Sequence, residues 1–201
     1  MAASQSGPVS GSLDTFPRLL LNHALVRGDR PATREKFLGI WQTWSWSQVA
    51  QEVRAMACGL AELGFKRGDN LAIIGDNRPR LYWSMCAAQM LGGIAVPMYQ
   101  DAVANEMVFV LQDAGIRFVI VEDQEQVDKM LEVKDQCPDL QHILYDDPRG
   151  MRHYNQTFLH GLDEVIAGGK IHDQNHPDFI PAEIAAGKSG DVAVMLYTSG
   201  T

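Results

Sequence analysis

Short apolar segments alternate with longer amphipathic segments through the middle of the chain. Four segments are rich in strand-forming residues: 70–75, 94–98, 117–122 and 140–146. The segments between them have apolar residues at helical spacing: 79–91, 105–114 and 124–134. Apolar strands separated by helices of about ten residues are typical of right-handed crossovers in a buried parallel sheet. The pattern therefore predicts an α/β fold with a largely parallel sheet and crossover helices. It also predicts six buried strand residues: Leu71, Ile73, Ile94, Val96, Val119 and Val121.

A helix and a hairpin are predicted before this alternation begins. Apolar residues at helical spacing predict the helix over 17–27. The segment 32–46 is rich in aromatic and β-branched residues and turns through a glycine, which predicts a β-hairpin. On its second strand, Trp44 and Trp46 are expected on one face and Trp41 on the other. We interpret them as packing residues rather than as a lipid or ligand surface.

A second helix is predicted to follow the hairpin directly. Ser47 is the expected N-cap, and Gly64 is expected to end the helix. The apolar residues between them recur at helical spacing: Val49, Val53, Met56, Ala57 and Leu60.

The last part of the chain has weaker patterns until its final residues. A helix is predicted over 158–167, followed by an irregular connection and a short helix over 182–186. The apolar run 192–197 predicts a last strand, which leads into the loop Thr198-Ser199-Gly200-Thr201. Small hydroxyl residues and a glycine after a buried strand favour a loop whose N–H and O–H groups face an anion.

Composition and charge exclude several classes of protein. The 201 residues are 46% hydrophobic, and the formal net charge of −8 argues against nucleic-acid binding. The basic residues at 27–36 and at 78–80 alternate with acids or prolines, and we interpret them as solvated surface. Three cysteines without CxxC spacing predict no metal site and a reducing compartment. We therefore expect a cytoplasmic protein, and peripheral membrane contact and oligomeric state are left open.

No membrane span or secretion signal is predicted. The uncharged stretch 81–100 is long enough to span a bilayer, but two glycines and Pro97 interrupt it. It is better explained as a helix followed by a strand. Residues 1–13 have no signal-peptide pattern, and we expect them to form a flexible leader before a single incomplete domain at 14–201.

Two motifs resemble known functional sites but lack the surrounding residues that those sites require. Gly187-Lys188-Ser189 has the end of a phosphate-binding P-loop, but Ala182 stands where that motif needs its first glycine. His172 and His176 have the spacing of a helical metal pair, but glycines and a proline surround them. Neither motif is assigned a function.

Four sequence blocks resemble the first half of the AMP-forming acyl-CoA synthetases, the adenylate-forming ligases. They are "WSWSQVA", "GDNLAIIGDNRP", "AQMLGGIAVPMYQDAVANEM" and "VAVMLYTSGT", and they occur in the order found in that family. The resemblance covers about residues 14–201. The segments "GDNRPRLYW" and "VPMYQDAVANEM" are most similar to those of bacterial long-chain fatty acyl-CoA synthetases. The "YQDA" after Pro97 departs from the small-residue pattern common in the family.

The resemblance implies a function, cofactors and a site. Thr198, Ser199, Gly200 and Thr201 would begin the loop that holds the ATP phosphates. The implied reaction activates a carboxylic acid, expected to be a long-chain fatty acid, with Mg²⁺ and ATP to an acyl-adenylate and then with coenzyme A to acyl-CoA. In the family the loop continues with glycine, proline and lysine, and the acidic magnesium and ribose contacts, the acyl tunnel and the mobile C-terminal lid with a second lysine come later.

Two alternatives to this function remain open at this point. One is an adenylating enzyme for an aryl acid or an amino acid, and the other is a non-catalytic nucleotide-binding or interaction module. Because the family's lysine and later motifs are missing from the sequence, we expect an N-terminal piece of a longer ligase. We expect this piece to be inactive on its own.

Overall fold

A computed structural model describes residues 12–198, which form seven strands, seven α-helices and two short 3₁₀ turns. The strands are β1 (Pro31–Phe37), β2 (Ile40–Ser45), β3 (Asn70–Ile74), β4 (Ile94–Met98), β5 (Phe118–Val121), β6 (His142–Tyr145) and β7 (Leu159–Gly161). The helices are α1 (Phe16–Arg27), α2 (Trp46–Glu62), α3 (Pro79–Met90), α4 (Ala104–Asp113), α5 (Gln124–Val133), α6 (Leu162–Asn175) and α7 (Phe179–Ala186). The 3₁₀ turns are Lys134–Gln136 and Met151–His153.

Five of the strands form one parallel sheet in the order β4-β3-β5-β6-β7. Strands β1 and β2 form a separate antiparallel hairpin. The predicted α/β fold with a parallel sheet and crossover helices is confirmed. All four strands and three helices predicted between 70 and 146 are present within one or two residues of the expected ends.

Helices cover both faces of the sheet, and neighbouring residues of a strand point to opposite faces. Leu71 and Ile73 pack in the cluster with α1, α2, α3, α6 and α7. Ala72 and Ile74 pack in the other cluster, with α4 and α5. Five of the six residues expected to be buried are buried. The exception is Ile94, which is half-buried because it is the first residue of the outermost strand β4.

The start of α2 corrects two predictions. Its N-cap is Ser45, not Ser47, because the Ser45 hydroxyl accepts the Gln48 N–H while the Gln48 side chain accepts the Ser45 N–H. Trp46 is consequently the first residue of the helix and does not share a strand face with Trp44. Instead the centroid of the Trp46 ring lies 4.6 Å from that of the His23 ring, and Trp44 packs edge-on against Trp83. The interpretation as packing residues is wrong for Trp41, which is 64% exposed.

The segment after residue 157 is more regular than predicted. The expected helix over 158–167 is instead the strand β7 followed by α6, and α6 continues through Gly168 and Gly169 to Asn175. The helix persists because Gly169 packs against the backbone of α2, where an added Cβ would lie 1.9 Å from the Ala55 carbonyl oxygen. The tertiary contact therefore offsets the low helix propensity of the glycines.

The remaining predictions concern the cysteines, a membrane span and the N-terminal leader. Cys58 and Cys137 are buried, Cys86 is half-buried, and all three are free thiols. Over residues 12–198, every helix is too short or too polar to span a bilayer. Residues 1–11 of the expected leader lie outside the described residues.

Candidate active site at the carboxyl edge of the sheet

The segment before the predicted phosphate loop lies along the outer edge of strand β4. Ala95 N–H donates to the Ala193 carbonyl oxygen at 3.2 Å, and Met195 N–H donates to the Ala95 carbonyl oxygen at 2.9 Å. These bonds form a single parallel bridge between Ala95 and Val194. The chain at 193–195 therefore runs in the same direction as β4, toward the carboxyl ends of the sheet strands.

The predicted strand over 192–197 is only partly formed, and Pro97 gives the physical reason. In a parallel pair, the next ladder bond would be donated by the residue two positions after Ala95. That residue is Pro97, which has no N–H to donate. The pairing therefore ends after one bridge, and residues 195–198 form no regular strand.

Side chains hold this segment against the neighbouring helices. Gln89 of α3 donates its amide N–H to the Ala193 carbonyl oxygen at 3.0 Å. Tyr197 donates its hydroxyl to Asp113 of α4 at 2.6 Å, and its ring packs edge-on against Phe109. The hydrogen bond to the Asp113 carboxylate raises the pKa of Tyr197. Thr198 follows directly and is exposed, whereas Ser199, Gly200 and Thr201 lie outside the described residues.

Acidic residues follow three of the strands at the carboxyl edge. Asp76 comes two residues after β3, Glu122 directly after β5 and Asp146 directly after β6. The Glu122 carboxylate accepts the Asp76 N–H at 2.5 Å. Gly75 permits this close approach, because a Cβ at this position would lie 2.6 Å from the Glu122 Cβ. Its φ of +154° is also unfavourable for other residues.

Two arginines cross-link these acids to the surrounding elements. Arg78 contacts Glu122 at 2.8 Å and Glu35 of the hairpin at 3.0 Å. Arg80 contacts Asp146 at 2.8 Å and Asp163 of α6 at 2.7 Å. The interpretation of these two arginines as solvated surface is therefore wrong. One sequence signal could have indicated this network of arginines and acids. It is the acidic residue that closely follows each of β3, β5 and β6.

The arginines line a cleft of about 640 Å³ at the same edge of the sheet. Acidic side chains outnumber arginines around it, and Arg78 and Arg80 are already paired with carboxylates. The cleft is thus a poor site for a phosphate group. Thr198 does not line this cleft, so the structure does not bring the predicted loop residue together with the arginine network.

Asp146 is an acid of this network whose pKa is shifted by its surroundings. Burial raises its pKa to about 6, although the nearby Arg80 cation acts in the opposite direction. The carboxylates of Asp163, Glu35 and Glu122 add to the effect of burial. The carboxyl group of Asp146 is therefore close to half-protonated near pH 6.

The two rejected motifs lie away from this edge. Gly187-Lys188-Ser189 follows α7 in a turn, where Lys188 N–H donates to Asp191 at 2.8 Å. The rings of His172 and His176 lie 4.7 Å apart, and His172 also contacts Glu62. Between residues 12 and 198, no three His, Cys, Asp or Glu side chains come together in a way that could hold a metal ion. None of the described acids is therefore assigned to Mg²⁺.

Comparisons with known proteins identify relatives of the chain. It is 30% identical over 175 residues to the long-chain-fatty-acid–CoA ligase ACSBG2 of Xenopus laevis, which is 87% of this chain and 23% of that protein. It is 26% identical over 193 residues to the long-chain-fatty-acid–CoA ligase FadD15 of Mycobacterium tuberculosis, which is 95% of this chain and 30% of that protein. The chain thus spans less than a third of the length of either ligase.

A solved structure and a family model agree with these relatives. The anthranilate CoA ligase AuaEII, crystallised with anthranoyl-AMP, has the same fold with a TM-score of 0.67 and 20% identity, over 81% of this chain and 30% of that one. The model of the family described as AMP-binding enzyme matches residues 20–201. This chain therefore belongs to the AMP-binding enzyme family.

Proposed function

We propose that this chain provides the first part of an AMP-forming acyl-CoA ligase, and that Thr198, Ser199, Gly200 and Thr201 begin its ATP-phosphate loop. The single observation that carries the proposal is the parallel course of residues 193–195 along β4. It directs the chain that follows toward the carboxyl ends of the strands, where ligands bind in open α/β sheets.

The proposed reaction consists of two substitutions. An oxygen of the substrate carboxylate attacks the α-phosphorus of ATP, and pyrophosphate leaves with the electrons of the broken P–O bond. The sulfur of coenzyme A, after losing its proton, then attacks the acyl carbon, and AMP leaves. Magnesium would neutralise phosphate charge during the first step.

The contribution of the loop is to bind and orient the phosphates. Each N–H or O–H bond to a charged phosphate oxygen contributes about 1.5–3 kcal/mol. Thr198 and Ser199 can each offer a hydroxyl and a backbone N–H. Gly200 has no side chain to hinder the approach of the phosphate to the backbone.

A long-chain fatty acid is the proposed substrate. The names of the two ligases from Xenopus laevis and Mycobacterium tuberculosis support this choice. Because the anthranilate ligase has the same fold, the fold itself does not select the acid. An aryl acid is therefore the second candidate substrate. An experiment is needed to distinguish it from a long-chain fatty acid.

The experiment is ATP–pyrophosphate exchange by the protein expressed from its complete gene. Palmitate, anthranilate and an equimolar mixture of amino acids are tested separately with Mg²⁺ and ATP. We expect exchange with palmitate and little exchange with the other acids. Exchange that is fastest with anthranilate or with amino acids would identify the alternative ligases, and no exchange with any acid would favour the non-catalytic module.

A further inference from the structure

The segment 187–193, which we call the strap, joins helix α7 to the parallel bridge beside β4. Helix α7 is fixed to the core through its buried side chains Ile180 and Ile184. At its other end the strap reaches Ala193, whose carbonyl oxygen accepts hydrogen bonds from β4 and from α3. The chain continues from there to Thr198, so the course of the strap affects where the proposed phosphate loop begins.

Between its two ends, the strap borders a cavity. The cavity has a volume of about 340 Å³ and is lined by strap residues, by the start of α1, and by Gly92 and Gly93 before β4. The Lys188 N–H donates to the Asp191 carboxylate, and the Asp191 N–H donates to the Lys188 carbonyl oxygen, so these bonds form a turn within the strap. The position of the strap therefore depends mainly on the contacts at its two ends.

Arg18 of α1 binds the start of the strap. Its guanidinium donates to the carbonyl oxygens of Gly187 at 2.8 Å, Ala185 at 3.2 Å and Ile184 at 3.3 Å. It also forms an ion pair at 2.7 Å with Asp14, one turn earlier in the sequence. Only 14% of the Arg18 side chain is exposed. This one side chain thus joins the start of α1 to the end of α7 and to the first residue of the strap.

A second arginine binds the same end of α7 but not the strap. Gly187 has an extended backbone, with φ −67° and ψ 146°, so α7 ends without a left-handed cap and its last carbonyl groups need other partners. Arg67, from the loop before β3, donates to the Glu183 carbonyl oxygen at 2.8 Å and to the Glu183 carboxylate at 2.6 Å. Both arginines therefore cap the helix, whereas Arg18 also holds Gly187.

We propose that Arg18 is a positioning residue for the ATP-phosphate loop, an inference that rests on the proposed function for the identity of the loop's ligand. By binding Gly187, Arg18 sets where the strap starts, and the strap in turn sets the course of residues 193–195 along β4. Without Arg18, the strap can shift into the cavity that it borders, and the bridge beside β4 opens more often. Part of the binding energy of ATP is then used to order the loop, which raises KM for ATP and leaves kcat nearly unchanged.

Hydrogen exchange of the Met195 amide, which donates to Ala95, tests this role in the protein expressed from its complete gene. Arg18→Met keeps an apolar stem of similar helix propensity and removes every donor of the guanidinium. We expect it to accelerate Met195 exchange about tenfold or more. Arg67→Met is the matched control, because it removes an arginine from the same helix end without releasing the strap. It should leave Met195 exchange unchanged.

Arg18→Lys is a milder change at the same position. It keeps the charge but not the planar set of donors, so it should accelerate Met195 exchange in the same direction. Exchange at the original rate in Arg18→Met, or in Arg18→Lys if Arg18→Met does not fold, would overturn the proposal. Equal acceleration in Arg18→Met and Arg67→Met would also overturn it, because it would show only a general loss of helix stability.

The kinetics of palmitate-dependent ATP–pyrophosphate exchange separate positioning from stability. Arg18→Met should raise KM for ATP about tenfold, with kcat and KM for palmitate nearly unchanged. A loss of folded protein alone would lower the apparent kcat and leave KM for ATP unchanged, and this result would overturn the proposal. No pyrophosphate exchange by the original protein would contradict the proposed function instead, and hydrogen exchange of Met195 would still decide whether Arg18 holds the strap.

Discussion

Gly59 of α2 and Gly169 of α6 let two helix backbones touch. A Cβ on Gly169 would lie 2.6 Å from the Gly59 nitrogen, and a Cβ on Gly59 would lie 2.3 Å from the Val165 carbonyl oxygen. Helices α2 and α6 therefore pack with almost no side chain between them at this point. Any larger residue at either position must move one helix.

Gly169→Ala should therefore destabilise the chain. The added methyl group overlaps backbone atoms that cannot move independently, and overpacking of this kind costs about 1–3 kcal/mol or more in the free energy of unfolding. Denaturant unfolding followed by circular dichroism measures the change.

The neighbouring glycine provides the matched control. A Cβ on Gly168 would meet only the carboxylate end of Glu62, at 3.2 Å, and this flexible side chain can move. Gly168→Ala should thus be neutral or stabilise by up to about 1 kcal/mol through helix propensity. Similar stabilities for the two alanine variants would contradict the close packing of α2 and α6.

Tyr197→Phe should loosen the segment that precedes the phosphate loop. It removes the hydrogen bond to Asp113 but keeps the ring packed on Phe109. We expect faster hydrogen exchange of the Met195 amide, which bonds to Ala95, with little change in global stability. Tyr154→Phe loses a similar bond to Asp128 elsewhere and should leave Met195 exchange unchanged. Equal Met195 exchange rates in all three proteins would rule out this anchoring role.

Asp146→Asn should change the pH dependence of stability. Because the folded pKa of Asp146 is raised to about 6, above its value in an unfolded chain, the ionised carboxylate opposes folding above pH 6. The asparagine variant should be more stable at pH 7, by about 1–3 kcal/mol, since one pKa unit corresponds to about 1.4 kcal/mol.

The advantage of Asp146→Asn should decrease as the pH falls from about 6 toward about 4, where the original carboxyl group becomes protonated in both states. Urea unfolding of both proteins at several pH values measures this difference. A variant that is less stable at pH 7 would show that the ion pair with Arg80 outweighs the cost of burying Asp146.

The alternation of strands and helices from 70 to 146 could be predicted from sequence because each element carries its own periodicity. The sequence does not distinguish the true cap of α2, Ser45, from Ser47 two residues later, because both are serines and equally suitable as caps. The sequence predicts that the helix ends before Gly168 because a glycine pair normally weakens a helix, whereas α6 continues to Asn175. Its continuation depends on contact between Gly169 and Gly59, which is 110 residues away in sequence.

The candidate site, too, depends on contacts between residues that are distant in sequence, which local sequence patterns do not predict. Thr198 was predicted from a motif that is local in sequence, and the parallel course of 193–195 supports its proposed position. The partners of Arg78 were missed because Glu35 and Glu122 lie 43 and 44 residues from it. Local charge alternation cannot distinguish a solvated arginine from one that joins two distant acids.

The most direct test of the proposed phosphate loop is the rate of palmitate-dependent ATP–pyrophosphate exchange in Thr198→Val. The protein expressed from the complete gene is used, with Thr157→Val, an exposed threonine before β7, as control. Loss of one donor to a charged phosphate oxygen should lower kcat/KM for ATP roughly tenfold to a hundredfold. Thr198→Ser, which keeps the hydroxyl, should retain most of the activity, and Thr157→Val should retain all of it. Full activity in Thr198→Val, or equal losses in Thr198→Val and Thr157→Val, would contradict the assignment of this loop to the ATP phosphates.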